Sequence, residues 1–250
     1  MSGFFAKLFH AESRKRLTWP APDEIVEAPL DSCISSFGML FAPPGWHPFT
    51  QEILQRLERP GTALEDSVLF RYYAHTQPKN DDFFPCFTIS GYRYRPGLLL
   101  TPWGTGKRVT AENKRVHQFG PKPADFVADK RDYLMRLFRN LQRDGYLPER
   151  TRDGDIRAIV LIARDGSRRT LINGGQHRTA VLAALGAKTL RLRYQPGWPR
   201  EICENQAASW PAVVKGEASV EEAVAYFRSY FDLPPDFRKP SNLPTRFPLR

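Results

Sequence analysis

The sequence lacks the features that would place the chain across a membrane. Its 250 residues contain no apolar run that approaches the length of about 18 residues needed to span a bilayer. The N-terminal segment also lacks the apolar core of a secretory signal peptide. These absences predict a cytoplasmic protein, while a content of 41% apolar residues supports a packed core.

Cysteine is scarce, since only Cys33, Cys86 and Cys203 occur in the chain. Their spacing is unlike that of metal-binding motifs, so we identify no metal site from the sequence. Three thiols cannot all pair with one another, and a reducing compartment is the simpler explanation. We therefore expect all three cysteines to be free thiols.

A complete phosphate-binding loop of the Walker type is also missing. Residues 104–107 read Gly-Thr-Gly-Lys, but they lack the G-x-x-x-x-G-K-[ST] spacing, and no helical pattern follows them. We therefore do not predict a nucleotide site there.

Positive charge is present in excess and is unevenly distributed. The net charge is +10, and residues 112–196 hold 18 Lys and Arg against 9 Asp and Glu, while the remainder holds 19 against 18. A basic region suits a nucleotide, a nucleic acid, a phosphorylated glycan or an anionic membrane surface. A solvated basic face is the alternative, for example at Arg136, Arg139 and Arg143.

The stretch over residues 171–186, LINGGQHRTAVLAALG, organises the centre of the chain. Upstream of it, the apolar run 159–163 and the Asp165-Gly166 dipeptide predict a β-hairpin with a two-residue turn. Good helix formers follow the glycine pair, and Gly186 is the kind of residue that ends a helix. Residues 189–194 then alternate between apolar and polar, which predicts a strand.

Gly174, Gly175, Gln176, His177 and Arg178 therefore lie where a strand passes into a helix. The first amides of a helix have no partner within it, and the helix dipole is positive at that end. Two glycines let a ligand approach the backbone, and the histidine and arginine add hydrogen-bond donors. This pattern predicts a phosphate cradle. An ordinary tight turn with a solvated arginine is the alternative.

A long amphipathic helix is predicted before the hairpin, from about residue 129 to Gly145. Asp125 or Asp129 would cap its start and Gly145 would end it. Its apolar stripe repeats at i, i+3, i+4 and i+7 and consists of Leu134, Leu137, Phe138 and Leu141.

Further helices are predicted over residues 49–59 and 64–75 from the spacing of their apolar residues. Ser219 and Glu222 form a capping-box pattern, S-x-x-E, which predicts the start of a C-terminal helix.

The junction Asn-Gly-Gly-Gln-His-Arg-x-Ala at residues 173–180, followed by Leu-Gly and an alternating strand, resembles the ParB/sulfiredoxin superfamily. Members carry G-x-H-R or G-E-R-R at this junction, after a Pro-containing loop, a helix, a glycine and a strand. The resemblance covers residues 112–196, about a third of the chain. It implies an α+β fold in which helices pack on a small mixed sheet.

The resemblance also implies that nucleotide phosphates bind at this junction, with Lys122 of the Pro-Lys-Pro loop as a second clamp. Sulfiredoxins carry their catalytic cysteine where this chain has Gln176, so sulfinic-acid reduction by that mechanism is not expected. The predicted phosphate-binding residues are Lys122, Asn173, Gly174, Gly175, Gln176, His177, Arg178 and Thr179.

Superfamily members use or hydrolyse nucleoside triphosphates, and some phosphorylate free serine. The resemblance therefore implies a nucleoside tri- or diphosphate and Mg²⁺ as cofactors, in a kinase that acts on a small molecule or glycan. Trp46-His-Pro-Phe49 and Trp210-Pro211 are among the features similar to a group of bacterial ParB-like proteins found with surface-polysaccharide genes. Asp129 and Asp132, with Asp125, are candidate bases, although helix capping explains them as well.

Two other functions stay open. A DNA-binding ParB-like protein would use the basic region on DNA phosphates, but no helix-turn-helix pattern follows residue 194. A non-catalytic module that senses nucleotides or sugar phosphates is the other alternative. The N-terminal segment carries apolar residues beside basic ones, a pattern that suits a peripheral membrane contact; these are Phe4, Phe5, Leu8 and Phe9. A frayed tail is the alternative.

The 22 prolines cluster outside the central region and suggest its borders. We predict a flexible tail over residues 1–20 and a helical, loop-rich region over 21–111. The nucleotide-binding domain would span 112–196, and a helix with a Pro-rich extended arm would occupy 197–250.

Overall fold

A computed structural model describes residues 24–36, 38–43, 45–75, 101–105, 121–151 and 153–231. The predictions for the N-terminal tail, for Cys86, for residues 106–107 and for the C-terminal arm after Phe231 lie outside these residues.

Strands and helices alternate irregularly within the described residues, which together form a mixed six-stranded sheet and six α-helices. The fold is therefore α+β, as predicted. In chain order the elements are β1 (Ile25–Pro29), β2 (Cys33–Ser35), α1 (Pro48–Glu58), α2 (Val68–His75), α3 (Ala124–Asp144), β3 (Ile156–Ile162), β4 (Arg168–Gly174), α4 (Gln176–Ala184), β5 (Thr189–Tyr194), β6 (Glu201–Cys203), α5 (Pro211–Val214) and α6 (Val220–Arg228).

The antiparallel hairpin of β3 and β4 lies at the centre of the sheet and confirms the predicted hairpin. Its loop has three residues instead of the predicted two. The Gly166 amide donates to the Ala163 carbonyl at 3.0 Å, and the Ala163 amide donates to the Ser167 carbonyl at 3.0 Å. Gly166 has φ +83°, a left-handed conformation that glycine adopts readily, and it closes this three-residue loop.

The sheet extends beyond the predicted range of 157–194, in the order β1-β5-β3-β4-β2. β1 pairs antiparallel with β5, and β2 pairs parallel with β4. β5 and β6 both lie along β3, beside its first and second halves respectively. The region predicted to be helical and loop-rich thus supplies two strands. Strands of five and three residues are too short to show a period of two.

Helix α3 begins at Ala124 and is longer than predicted. Pro123 is its N-cap residue and no side chain caps it, so the prediction of an Asp129 cap is wrong, because Asp129 lies in the second turn. Asp125 accepts a hydrogen bond only from the next amide, that of Phe126, at 2.7 Å. Gly145 ends the helix as predicted, with φ +76° and a hydrogen bond to the Leu141 carbonyl.

Helix α2 begins at Val68, four residues later than predicted, because side chains of α1 cap it. Gln55 accepts a hydrogen bond from the Val68 amide at 2.9 Å, and Glu52 accepts one from the Leu69 amide at 2.8 Å. Ser67 adds a local contact to the amide of Phe70 at 3.2 Å. These long-range caps satisfy amides that the helix itself leaves without a partner.

A buried ion pair joins α1 to α3. Arg131 Nε donates to Glu52 Oε1 at 2.7 Å, and only 8% and 2% of the two side chains are exposed. The second oxygen of Glu52 caps α2, so one carboxylate connects three helices. Arg131 also donates to the Thr62 carbonyl at 3.2 Å.

The C-terminal helices pack around an aromatic cluster centred on Trp103, whose ring contacts those of Trp210, Tyr226, Phe227 and Tyr230. The predicted capping box of Ser219 and Glu222 is confirmed at the start of α6. The Tyr230 hydroxyl donates to the Ser36 carbonyl at 3.0 Å and ties this cluster to the chain after β2.

Cys33 and Cys203 are free thiols, as predicted. Cys33 is fully buried on β2, and burial raises its pKa to about 12. Cys203 is half-buried, and burial also raises its pKa. None of the helices in the described residues is long and apolar enough to cross a bilayer.

Replacing Arg131 by alanine should lower the free energy of unfolding by about 3 to 5 kcal/mol, because Glu52 would remain buried without its cation. Urea denaturation of the full chain measures this change. Arg136→Ala is the control, since Arg136 is exposed on the same helix and should change the stability by less than about 0.5 kcal/mol. Equal unfolding midpoints for both variants would contradict the stabilising role of the ion pair.

Alkylation by iodoacetamide at about pH 8 should modify Cys33 only after denaturation, because thiolate is the reactive form and burial suppresses it. Peptide mapping by mass spectrometry reports each cysteine separately, and Cys203 should react earlier than Cys33 in the folded protein. A disulfide-linked peptide that contains either residue would contradict the expectation.

Candidate functional site

The junction between β4 and α4 has the predicted order of strand, glycine turn and helix. Gly175 is the N-cap residue of α4 and has left-handed backbone angles, φ +82° and ψ 23°. A Cβ atom added there would lie 3.0 Å from Ile156 Cγ1 and 3.3 Å from Ile156 Cα. Both the backbone conformation and the close approach of β3 therefore require glycine at this position.

A β-bulge precedes the turn. Arg157 of β3 lies opposite Gly174, and Ala158 lies opposite Ile172, so Asn173 is the extra residue on β4. The Asn173 side-chain nitrogen is buried and donates no hydrogen bond to the described residues. Bulges turn side chains away from the regular alternation of a strand, and they recur beside binding sites. The predicted ligand residue Asn173 thus has an unused donor next to the junction.

His177 lies in the first turn of α4 and is held by aromatic rings from two other helices. Its ring stacks on Phe49 of α1 at a centroid distance of 4.7 Å and an angle of 12°. The ring of Tyr133 on α3 meets it edge-on at 5.2 Å. The imidazole therefore has a defined orientation at the positive end of α4.

Lys130 of α3 reaches the same imidazole, with 3.3 Å between Lys130 Nζ and His177 Nε2. An ammonium group can only donate, so Nε2 is the acceptor in this contact. Partial burial lowers the pKa of Lys130. This ammonium lies 5.7 Å from the Tyr133 ring centroid, in a cation–π contact.

Lys122, the predicted second clamp, is connected to this cluster through Phe126. The ammonium groups of Lys122 and Lys130 lie 5.5 Å and 5.6 Å from the Phe126 ring centroid. Lys122 and Lys130 thus share the Phe126 ring as a neighbour, and Lys130 also contacts His177. Lys130 is not among the residues predicted from the sequence, although its spacing from Phe126 and Tyr133, four and three residues away on one helix, is a pattern that indicates side-chain contact.

Arg178 is not solvated, so the alternative of a solvated arginine is wrong, and its role in phosphate binding stays a prediction. It is 7% exposed, and its Nη1 donates to the Gly154 carbonyl and to Thr151 Oγ1. Successive residues of a helix are rotated by about 100°, so His177 and Arg178 point in different directions. The guanidinium holds the loop before β3 against α4.

The remaining predicted residues have mixed surroundings. Thr179 is fully buried, and its hydroxyl donates to the Gly175 carbonyl at 3.2 Å, so it contributes to the helix start rather than to a surface. Gln176 is half-exposed at the first helical position. The candidate bases Asp125, Asp129 and Asp132 are all exposed on α3. Among the described residues, no group of three His, Cys, Asp or Glu side chains could hold a metal ion.

Comparisons of the chain with protein-family models, with curated proteins and with solved structures find no match in any of the three. The resemblance to the ParB/sulfiredoxin superfamily therefore stays a prediction.

Replacing Arg178 by alanine should destabilise the fold, in contrast to the expectation for an exposed arginine. The variant loses charge-assisted hydrogen bonds to the loop at residues 151–154, and such bonds contribute about 1.5 to 3 kcal/mol each. We expect the free energy of unfolding to fall by about 2 to 4 kcal/mol in a urea titration. Arg143→Ala is the matched control, because 71% of that side chain is exposed. A stability change no larger than that of the control would favour the ligand-facing interpretation.

Proposed function

We propose that the start of α4 binds the phosphates of a nucleotide, and that the protein is a nucleotide-dependent phosphotransferase acting on a small molecule or glycan. The observation that carries this proposal is the contact between Lys130 and His177 at the N-terminus of α4. The predicted resemblance to proteins of surface-polysaccharide gene clusters suggests a glycan as the acceptor.

Three features of this cluster favour an anionic ligand. Gly175, the N-cap residue of α4, has no side chain that could cap the helix and block a ligand from its start. Lys122 and Lys130 form no ion pair with any carboxylate in the described part of the chain. The helix dipole adds positive potential at the same end. Phosphate oxygens would contact the start of α4 and the two ammonium groups together.

Aromatic residues offer a surface for the base of the nucleotide. Tyr133 is 41% exposed, and its ring lies next to His177 and Lys130. Stacking of a base on an aromatic ring contributes about 1 to 3 kcal/mol and tolerates different bases. This tolerance leaves ATP, ADP and CTP as candidate ligands.

In the transfer step, an acceptor hydroxyl would attack the terminal phosphorus while the bond to the bridging oxygen breaks. Lys130, Lys122 and the α4 amides would neutralise the charge on the phosphoryl oxygens. The hydroxyl proton would pass to one of the exposed carboxylates on α3, Asp129 or Asp132. Mg²⁺ would arrive bound to the nucleotide, as phosphates supply most of its ligands in such sites.

A non-catalytic nucleotide-binding module is the second candidate, and the exposure of the candidate bases favours it. Catalytic carboxylates are usually tuned by partial burial, whereas Asp125, Asp129 and Asp132 are all exposed. Incubation of the protein with labelled ATP, ADP and CTP plus Mg²⁺ separates the two candidates. Hydrolysis, or transfer to an added glycan, would establish catalysis, and binding without turnover would establish the module.

Replacing Lys130 by methionine should weaken nucleotide binding about ten- to a hundredfold. Methionine keeps the contacts with Phe126 and Tyr133 but removes the charge, and a charge-assisted hydrogen bond contributes about 1.5 to 3 kcal/mol. Titration calorimetry with ATP, ADP and CTP in the presence of Mg²⁺ measures the change.

Lys188→Met is the matched control, because Lys188 is exposed beyond the opposite end of α4. Equal affinities for the wild type and Lys130→Met would refute the phosphate site. Binding of duplex DNA without any nucleotide affinity would favour the DNA-binding alternative instead.

A further inference from the structure

We propose that the protein has a second binding site, an arginine-lined cavity at the start of β3 and β5 that takes an anionic sugar. The cavity has a volume of about 410 Å³, within the usual range of small-molecule sites. Its charged lining consists of Glu149, Asp155, Arg157, Arg191 and Arg193. The residues of the Lys130 and His177 cluster do not line it, so this site is independent of the proposed nucleotide site.

The strand register explains why three arginines meet there. β3 and β5 are parallel neighbours, and Arg157 lies beside Arg193. Arg191 is two residues before Arg193, and side chains two apart on a strand share a face. Leu190 and Leu192 alternate with them and are buried. The opposite face of these strands is therefore core, and the arginine face lines the cavity.

Asp155 forms ion pairs with two of these arginines, Arg191 and Arg193. Its carboxylate is 7% exposed, pairs with Arg193 Nε and lies 3.4 Å from Arg191 Nε. Oxygen Oδ1 of Asp155 accepts no hydrogen bond from the described residues. The ion pair with Arg191 Nε at 3.4 Å offsets the charge of this oxygen, and a ligand hydroxyl in the cavity would supply the hydrogen bond that it lacks.

The walls of the cavity are held by contacts outside it. The Gly154 carbonyl accepts a hydrogen bond from the buried Arg178, and the Ile156 amide donates to the Tyr146 hydroxyl at 2.7 Å. The Tyr194 ring lies under the guanidinium of Arg200, at 4.3 Å from its centroid. These contacts fix the positions of the lining residues before a ligand binds. Less conformational entropy of the protein is therefore lost on binding.

The charged side chains that line the cavity indicate which class of ligand it binds. Three arginines against Asp155 and Glu149 leave a net charge of +1 in the lining, which matches one anionic group and not a triphosphate. Arg157 forms no ion pair with a carboxylate of the described residues, and its planar guanidinium suits a phosphate or carboxylate. The two acidic side chains accept hydrogen bonds from hydroxyl groups. A sugar that carries one phosphate or one carboxylate satisfies both requirements.

Titration calorimetry on the full chain without nucleotide tests this site, with glucose 1-phosphate, glucuronate, glucose and inorganic phosphate as probes. We expect binding of glucose 1-phosphate or glucuronate with a Kd of about 1 mM or lower. The probe that binds more tightly identifies phosphate or carboxylate as the anionic group. Arg157→Gln should weaken that binding at least about tenfold, because the anion loses a charged donor.

Arg168→Gln is the control, because Arg168 belongs to the neighbouring strand β4 and 64% of its side chain is exposed. Thermal melts check that both variants stay folded. The proposal is overturned if neither sugar binds, if Arg157→Gln and Arg168→Gln bind alike, or if inorganic phosphate binds as tightly as glucose 1-phosphate. Loss of nucleotide binding in Lys130→Met leaves this result unaffected.

Discussion

The close contact between the start of α4 and the start of β3 determines the arrangement of both candidate sites. Gly175 packs directly on Ile156, and Arg178 bonds to the Gly154 carbonyl from within the fold. On one side of this contact, His177 faces the aromatic and lysine side chains of α3. On the other side, Arg157 lies next to Gly174 and lines the arginine-rich cavity. A single glycine and a single buried arginine thereby hold two positively charged surfaces in a fixed relation.

Helix α3 depends on a second buried contact, between Arg131 and Glu52. Arg131 points into the core and Lys130 precedes it, so the ion pair also sets the direction of Lys130 toward His177. The chain uses adjacent residues differently in both places: Arg131 and Arg178 stabilise the fold, while Lys130 of α3 and His177 of α4 contact each other at the partly exposed start of α4. Burial decides between the two roles, because a buried guanidinium needs fixed partners.

The longest elements followed from local patterns. The hairpin of β3 and β4, the helix that Gly145 ends and the strand of residues 189–194 each have a clear period and clear end signals. The strands β1, β2 and β6 could not be predicted from local patterns, since they are short and their pairing partners are distant in the chain. The late start of α2 escaped prediction for the same reason, because its caps come from α1.

The sequence by itself determined the glycine turn between strand and helix, the helix with its apolar stripe, the capping box and the basic character of residues 112–196. These features depend on residues close together in the chain. Only the tertiary structure decided that Arg178 is internal, that Lys130 reaches His177, and that Arg157, Arg191 and Arg193 share one cavity. Side-chain direction at a helix start and the register of β3 against β5 depend on packing between distant segments, which no local pattern encodes.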